Sequence, residues 1–309
     1  MKLTKVVLAL AVTAAMMTTA ACGSGGDNPL STGSSSSNGS GGASSITVGS
    51  ADFPESQLLA EIYAGALQAK GVTVNKKLNI GAREAYIPAL QDGSIDLIPE
   101  YTGVLTQYFN KDAKATDSDG VYAELKAALP DKLEVLDKSA AEDKDAVVMT
   151  KKKADELGVK SIADLQGKAK DLVLGGPPEW KTRPTGVPGL KKVYGLEFKS
   201  FRALDAGGPL TVAALKNGQI QAGNLFTTDP NIAKNDFVVL DDPKHLFAAQ
   251  NVVPLITKSK DDDTVSKALN AVSAKLDTET LAALLTEVVV DKKDASAVAK
   301  EFLTKNGLA

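Results

Sequence analysis

The chain has 309 residues, a formal net charge of −3 and one cysteine. Acidic and basic residues are interspersed without a basic stripe, which argues against nucleic acid as a partner. A lone cysteine makes no internal disulfide, and beyond the N-terminus no apolar run approaches the roughly 20 residues of a membrane-spanning helix.

Lys2 and Lys5 precede an apolar run from Val6 to Met17, and small residues then lead to Cys22. That is the layout of a secretory signal. The Thr-Ala-Ala-Cys ending resembles a bacterial lipobox, with Thr19 where a bulky leucine is usual. The expected processing removes residues 1–21 and places a lipid on Cys22; the alternative is a plain secretory signal with an incidental cysteine. Gly23–Ser45 is nearly all Gly and Ser. It reads as a flexible tether with a mean span of roughly 25 Å. The folded part is then 46–309, held at the outer face of the cell membrane.

Ile46–Ser50 reads as a strand ending in small residues. Glu55–Gly71 has helical spacing at Leu58, Leu59, Ile62 and Ala66 and is closed by Gly71. Val72–Ile80 is a strand. Arg83–Gly93 is a helix, and Ile95–Gly103 is a strand running into a loop. This is a βαβαβ order. It restarts with the strand Asp171–Gly176, the helix Gly189–Leu196, the helix Leu210–Gly218 and the strand Ile220–Pro230, which again runs into a loop. The phrase ALQDGSIDLIPEYTG (89–103) is echoed by ALKNGQIQAGNLFTT (214–228), with Tyr101 matched by Phe226. Ile220 lies 125 residues after Ile95, and Leu174 lies 126 after Val48. One offset shared by two motifs predicts two lobes of like construction.

Ala146–Lys153 and Asn251–Lys260 are apolar strands ending Thr-Lys. Their placement suits two strands crossing between lobes, with the bland alternative of ordinary core strands. Lobe 1 is then 46–146 plus 255–309, and lobe 2 is 147–254. Three amphipathic helices follow, at 264–276, 277–289 and 294–307, and should pack back on lobe 1. The DTET start places a cap at Asp277 or Thr278. In open parallel sheets the ligand crevice lies beyond the carboxyl ends of the strands, so Tyr101 and Phe226 should line a cleft between lobes.

The stretches SADFPESQLLAEIYAGAL, GAREAYIPALQDGSIDLIPEYTG, EWKTRPTGVPGLKKVYGL and AALKNGQIQAGNLFTTD are similar to those of a known family. The chain resembles, from about 46 to 309, the substrate-binding lipoproteins of ABC importers for glycine betaine, choline, carnitine and related osmoprotectants. PEYTG and the Arg183–Gly189 phrase are the most specific parts. The resemblance implies an α/β, two-lobed clamp of the periplasmic-binding-protein type (type II-like, with two hinge strands between lobes). It implies a membrane permease and an ATPase as partners, a monomer, no cofactor and no catalysis.

In that family a quaternary ammonium sits in a cage of aromatic rings, and the ligand's carboxylate is held by basic or amide groups. Carried over, the cage positions are Tyr101, Asp145, Phe226 and Gln250, so two rings are kept. Arg183 takes the carboxylate-binding place, and Ala51 stands where a lysine is common. Asp145 in place of a ring points either to direct pairing with a cation or to a different polar solute. Phe53 and Trp180 are spare aromatics near the expected cleft; each is equally well read as packing on its own lobe.

Gln57, at the N-terminus of the first helix, is a candidate for a ligand carboxylate, or an ordinary first-turn residue. Thr227, Thr228 and Asp229 either touch ligand or cap the next turn, capping being the better reading of Asp229. Asp143 lies near Asp145 and completes the candidate set. Tyr63, Tyr86, Tyr122 and Tyr194 sit at helical spacings that suit core or surface. His245 is the only histidine, which makes no metal site. Lys258–Asp263 lacks the spaced ligands of a calcium loop. No Gly-x-Ser-x-Gly, phosphate loop or free cysteine nucleophile supports an enzyme, although Glu100, Asp143 and Asp145 keep a carboxylate-pair hydrolase open. A lipoprotein that senses ligand without transporting it is the remaining alternative.

Overall fold

The computed structural model describes residues 45–309; the expected signal, Cys22 and nearly all of the expected tether lie outside them. β1 (Ile46–Gly49) buries every residue but Thr47, as suits a parallel strand covered on both faces. Pro54 opens α1 (Pro54–Ala69), where its fixed φ suits the first helical turn. β2 (Val74–Lys77) carries exposed residues from Asn75 onward, and charge of this kind discourages edge pairing. α2 (Arg83–Gln91) and the fully buried β3 (Leu97–Tyr101) follow. No loop follows Tyr101, contrary to the sequence expectation. Tyr101 is itself the N-cap of α3 (Thr102–Phe109), so its ring is held where strand turns directly into helix. α4 (Ser118–Ala128), capped by Asp117, and the short β4 (Leu133–Val135) complete the outward run.

The second lobe contains β5 (Asp145–Thr150), α5 (Lys151–Leu157), β6 (Val173–Gly176), α6 (Val187–Tyr194), β7 (Ser200–Ala203), α7 (Pro209–Lys216), β8 (Ala222–Phe226), α8 (Asn231–Lys234) and β9 (Phe237–Val239). The chain returns through β10 (Val252–Thr257) and ends in α9 (Asp263–Ser273), α10 (Thr278–Val289) and α11 (Ala295–Lys305). Asp262, Asp277 and Asp294 cap these three helices with their side chains. Their apolar faces join α1 in one core through Leu269, Leu281, Val298 and Phe302.

The two sheets have the orders β2-β1-β3-β10-β4 and β7-β6-β8-β5-β9. They match place by place: three parallel strands, an antiparallel strand, then a short edge strand. The echoed phrase supplies the third strand of each sheet. In both copies the preceding helix stops at a glycine in the left-handed region, Gly93 at φ 81° and Gly218 at φ 68°, where a Cβ is disfavoured. Tyr101 pairs across the ladder with Val252, and Phe226 with Asp145.

The crossing points differ from the expectation. β5 pairs only within the second sheet and β10 only within the first, so boundaries at 146/147 and 254/255 fall inside strands. The chain crosses just before each of them, and Glu142 and Asn251 form an antiparallel bridge there. An apolar run reads alike in either sheet, so sequence placed the crossing a few residues late.

Candidate functional site

The carboxyl ends of β3 and β8 open on a cavity of about 310 Å³ between the lobes. That volume lies near the lower end of the range for small-molecule sites. Phe53, Arg83, Tyr86 and Tyr101 line it from the first lobe, and Asp145, Arg183, Asn224 and Phe226 from the second. Asp143 and Gln250 reach it from the crossing segments. A larger cavity of about 510 Å³ lies beyond Phe53 and Phe226, against α7 and the end of α10. We place the site in the smaller one, because the matched strand ends and the buried polar groups converge there.

Phe53 is the ring that joins the other two. Its centroid is 5.1 Å from that of Phe226 and 6.1 Å from that of Tyr101. Trp180 takes no part in the lining: it is buried in the second lobe's core and stacks on Phe247 at 6.1 Å.

Behind the rings lies a chain of carboxylates. The Tyr101 hydroxyl donates to Glu55 Oε1 at 2.7 Å, and Thr228 Oγ1 donates to Glu55 Oε2 at 2.5 Å. Thr228 thereby reaches from the second lobe to the first. Its backbone N–H donates to Asp143 Oδ1 at 3.0 Å. Burial pushes both carboxyls up, Asp143 well above the usual range, with the neighbouring Glu55 charge adding to the effect there. Asn224 Nδ2 donates to Asp145 Oδ1 at 2.9 Å, and burial raises the Asp145 carboxyl despite that bond. Burial and the Glu55 charge keep the Tyr101 phenol a donor far above its ordinary pKa.

Both arginines that line the cavity are paired. Arg83 forks onto Glu100 at 2.7 and 2.8 Å, and the Tyr86 hydroxyl donates to the same carboxylate at 2.6 Å. Arg183 forks onto Glu84 of the opposite lobe at 3.1 and 2.8 Å. The guanidinium that the resemblance assigns to a ligand carboxylate therefore already holds a carboxylate of the protein.

Tyr101, Phe226, Asp145, Gln250, Arg183, Phe53 and Asp143 come together around this cavity. Gln57 and Thr227 do not line it. Gln57 is two residues beyond Glu55 on α1, about 200° around the helix, so the two face apart. The Thr227 hydroxyl turns to Asp143 Oδ1 at 3.2 Å and accepts from the Lys144 N–H. Asp229 accepts from the Asn231 N–H, but the N-cap of α8 is Pro230, so Asp229 stands one residue before the capping place. Tyr86, read as core or surface, lines the cavity as well as being buried. Asn224, Glu55 and Glu84 were missed; only the two-residue spacing of Asn224 from Phe226 on a strand carried a signal.

A family profile described as the substrate binding domain of ABC-type glycine betaine transport system matches residues 44–305. The chain belongs to this family. The glycine-betaine-binding protein of Pseudomonas aeruginosa is 28% identical to it over 280 residues, covering 86% of this chain and 89% of that protein. The glycine betaine-binding protein YehZ of Escherichia coli is 26% identical, covering 86% and 92%. The crystal structure of a glycine betaine/carnitine/choline ABC transporter component superposes with a TM-score of 0.67 at 23% identity, covering 85% and 99%. That likeness shows the fold of the transport-system substrate-binding domain: a two-lobed clamp. The family is one of solute capture for transport, not an enzyme class.

Proposed function

We propose that this member of the glycine betaine transport-system family is the lipid-anchored, extracytoplasmic receptor of an ABC importer. It closes its lobes over one small quaternary ammonium solute and presents it to a permease driven by an ATPase. The observation that carries this reading is the ring group Phe53, Tyr101 and Phe226, drawn from both lobes, beside the buried Asp145. A quaternary ammonium has no N–H to donate. Ring faces attract it, each contributing about 0.5–2 kcal/mol, and a carboxylate balances its charge. The glycine betaine-binding relatives support the solute class. The lipobox-like ending at Cys22 and the Gly/Ser-rich stretch after it support a receptor held near its permease.

Calorimetry with glycine betaine, proline betaine, choline, carnitine and ectoine tests the reading. At least one should bind in the micromolar range; if none binds tighter than millimolar, the osmoprotectant reading fails. Tyr101→Ala should weaken the bound solute on the order of tenfold, and unchanged affinity would remove Tyr101 from the site. A permease and an ATPase encoded beside this gene would favour transport over sensing.

A further inference from the structure

The larger cavity, of about 510 Å³, is a second space between the lobes with a chemistry of its own. Its volume falls within the range of small-molecule sites. On the second lobe, Pro209, Val212, Ala213 and Lys216 of α7 line it at the i, i+3, i+4, i+7 spacing of one helical face. On the first lobe, Leu285, Val288 and Val289 of α10 repeat that spacing, and Lys292 continues it just past the helix end. Two apolar stripes from different lobes thus line one space, and each leads to a lysine. Phe53 and Phe226 line both cavities and stand between them.

Charge adds a second, independent observation. Lys234 of α8 joins Lys216 and Lys292 on the lining, and all three are exposed, which places them at the rim. None of the three forms a salt bridge among the described residues. The two carboxyls on the same lining are already engaged. Glu55 accepts from Tyr101 and Thr228, and Asp229 accepts from the Asn231 backbone and side-chain N–H groups. Burial raises both, which favours their neutral forms and weakens any repulsion of an anion. The space therefore joins an apolar interior to a rim of unpaired cations. Lysine stems extend the apolar wall while their ammonium groups stay at the water.

We infer that this cavity takes a second, different ligand: a single-chain amphiphile with an anionic head, of the medium-chain fatty-acid class. Its chain lies between the α7 and α10 stripes, and its head meets the lysines at the rim. A cationic head would meet three like charges there, a repulsive element of the kind that sets specificity. Such a ligand touches both lobes and so favours the closed clamp. It should tighten solute binding in the smaller cavity by the same factor by which solute tightens its own. That coupling rests on the clamp function proposed above; the binding site itself does not.

The test is calorimetry on the full chain with four probes: hexanoate, octanoate, 1-octanol and octylammonium. Octanoate is expected to bind about tenfold tighter than hexanoate, which has two fewer methylenes to bury. It should also bind tighter than the neutral alcohol and the cation. Lys216→Gln combined with Lys292→Gln, both at exposed positions, should weaken octanoate about fivefold and leave 1-octanol unchanged. A saturating solute in the smaller cavity should leave octanoate bound and tighten it. No octanoate binding, octylammonium or 1-octanol binding as tightly as octanoate, or an unaltered octanoate affinity in the double variant overturns the inference. Displacement of octanoate by the solute shows one shared site and overturns it as well. If no osmoprotectant binds, the solute reading fails alone, and the four-probe comparison still decides this one.

Discussion

Glu55 and Asp143 are both buried, and Thr228 bonds to each. Burial raises both carboxyls, and their mutual proximity favours a single shared proton. Each folded-state pKa lies above its unfolded value. The stabilising contribution is therefore complete below the unfolded value and is lost as pH rises through the folded one. Asp143→Asn removes one of the two charges while keeping an oxygen that can accept from Thr228. Measured by urea unfolding, the variant should gain on the parent protein as pH rises from about 4.5 to about 8. A constant gap over that interval would show that the two carboxyls do not share a proton. Glu55 and Glu84 were invisible in the sequence for a simple reason. Glu55 meets Thr228 across 173 positions, and Glu84 meets Arg183 across 99. No periodicity connects such pairs.

Strands and helices were far more legible, because burial writes a period into them. The echoed phrase predicted equivalent strands, and these occupy the third place of both sheets. The crossing segments and the direct β3-to-α3 turn were not legible, since they depend on which sheet an apolar run joins. The loop that carries Arg183 shows how tightly an irregular element can be specified. A Cβ on Gly186 would lie 1.9 Å from the Trp180 carbonyl oxygen, and one on Gly189 would lie 2.0 Å from that of Pro184. Backbone here packs against backbone, so the neighbour cannot swing aside. Gly186→Ala should cost about 1–3 kcal/mol in chemical denaturation and weaken solute binding by displacing Arg183. Full stability would show that the loop yields without strain.

At the scale of the whole molecule, three of the contacts between the lobes differ in character: the Arg183–Glu84 pair, the Thr228–Glu55 bond and the Phe53–Phe226 ring contact. The ion pair is partly exposed, at 24% and 47% of its side chains, and pairs in such positions contribute about 1 kcal/mol or less. That is about fivefold at most in a balance between open and closed clamps. Arg183→Ala should raise the radius of gyration of the ligand-free protein in solution X-ray scattering, and ligand should restore it. Equal values for variant and parent would leave closure to the other contacts. The sheet order has one more consequence, for assembly rather than binding. β10 lies between β3 and β4, so the first sheet lacks its fourth strand until residues 252–257 exist. The second sheet draws all five strands from 145–239. For a chain that emerges N-terminus first, domains tend to fold as their residues become available. Here the half that begins earlier is the half completed last, and β4 must wait unpaired for a strand made more than a hundred residues later.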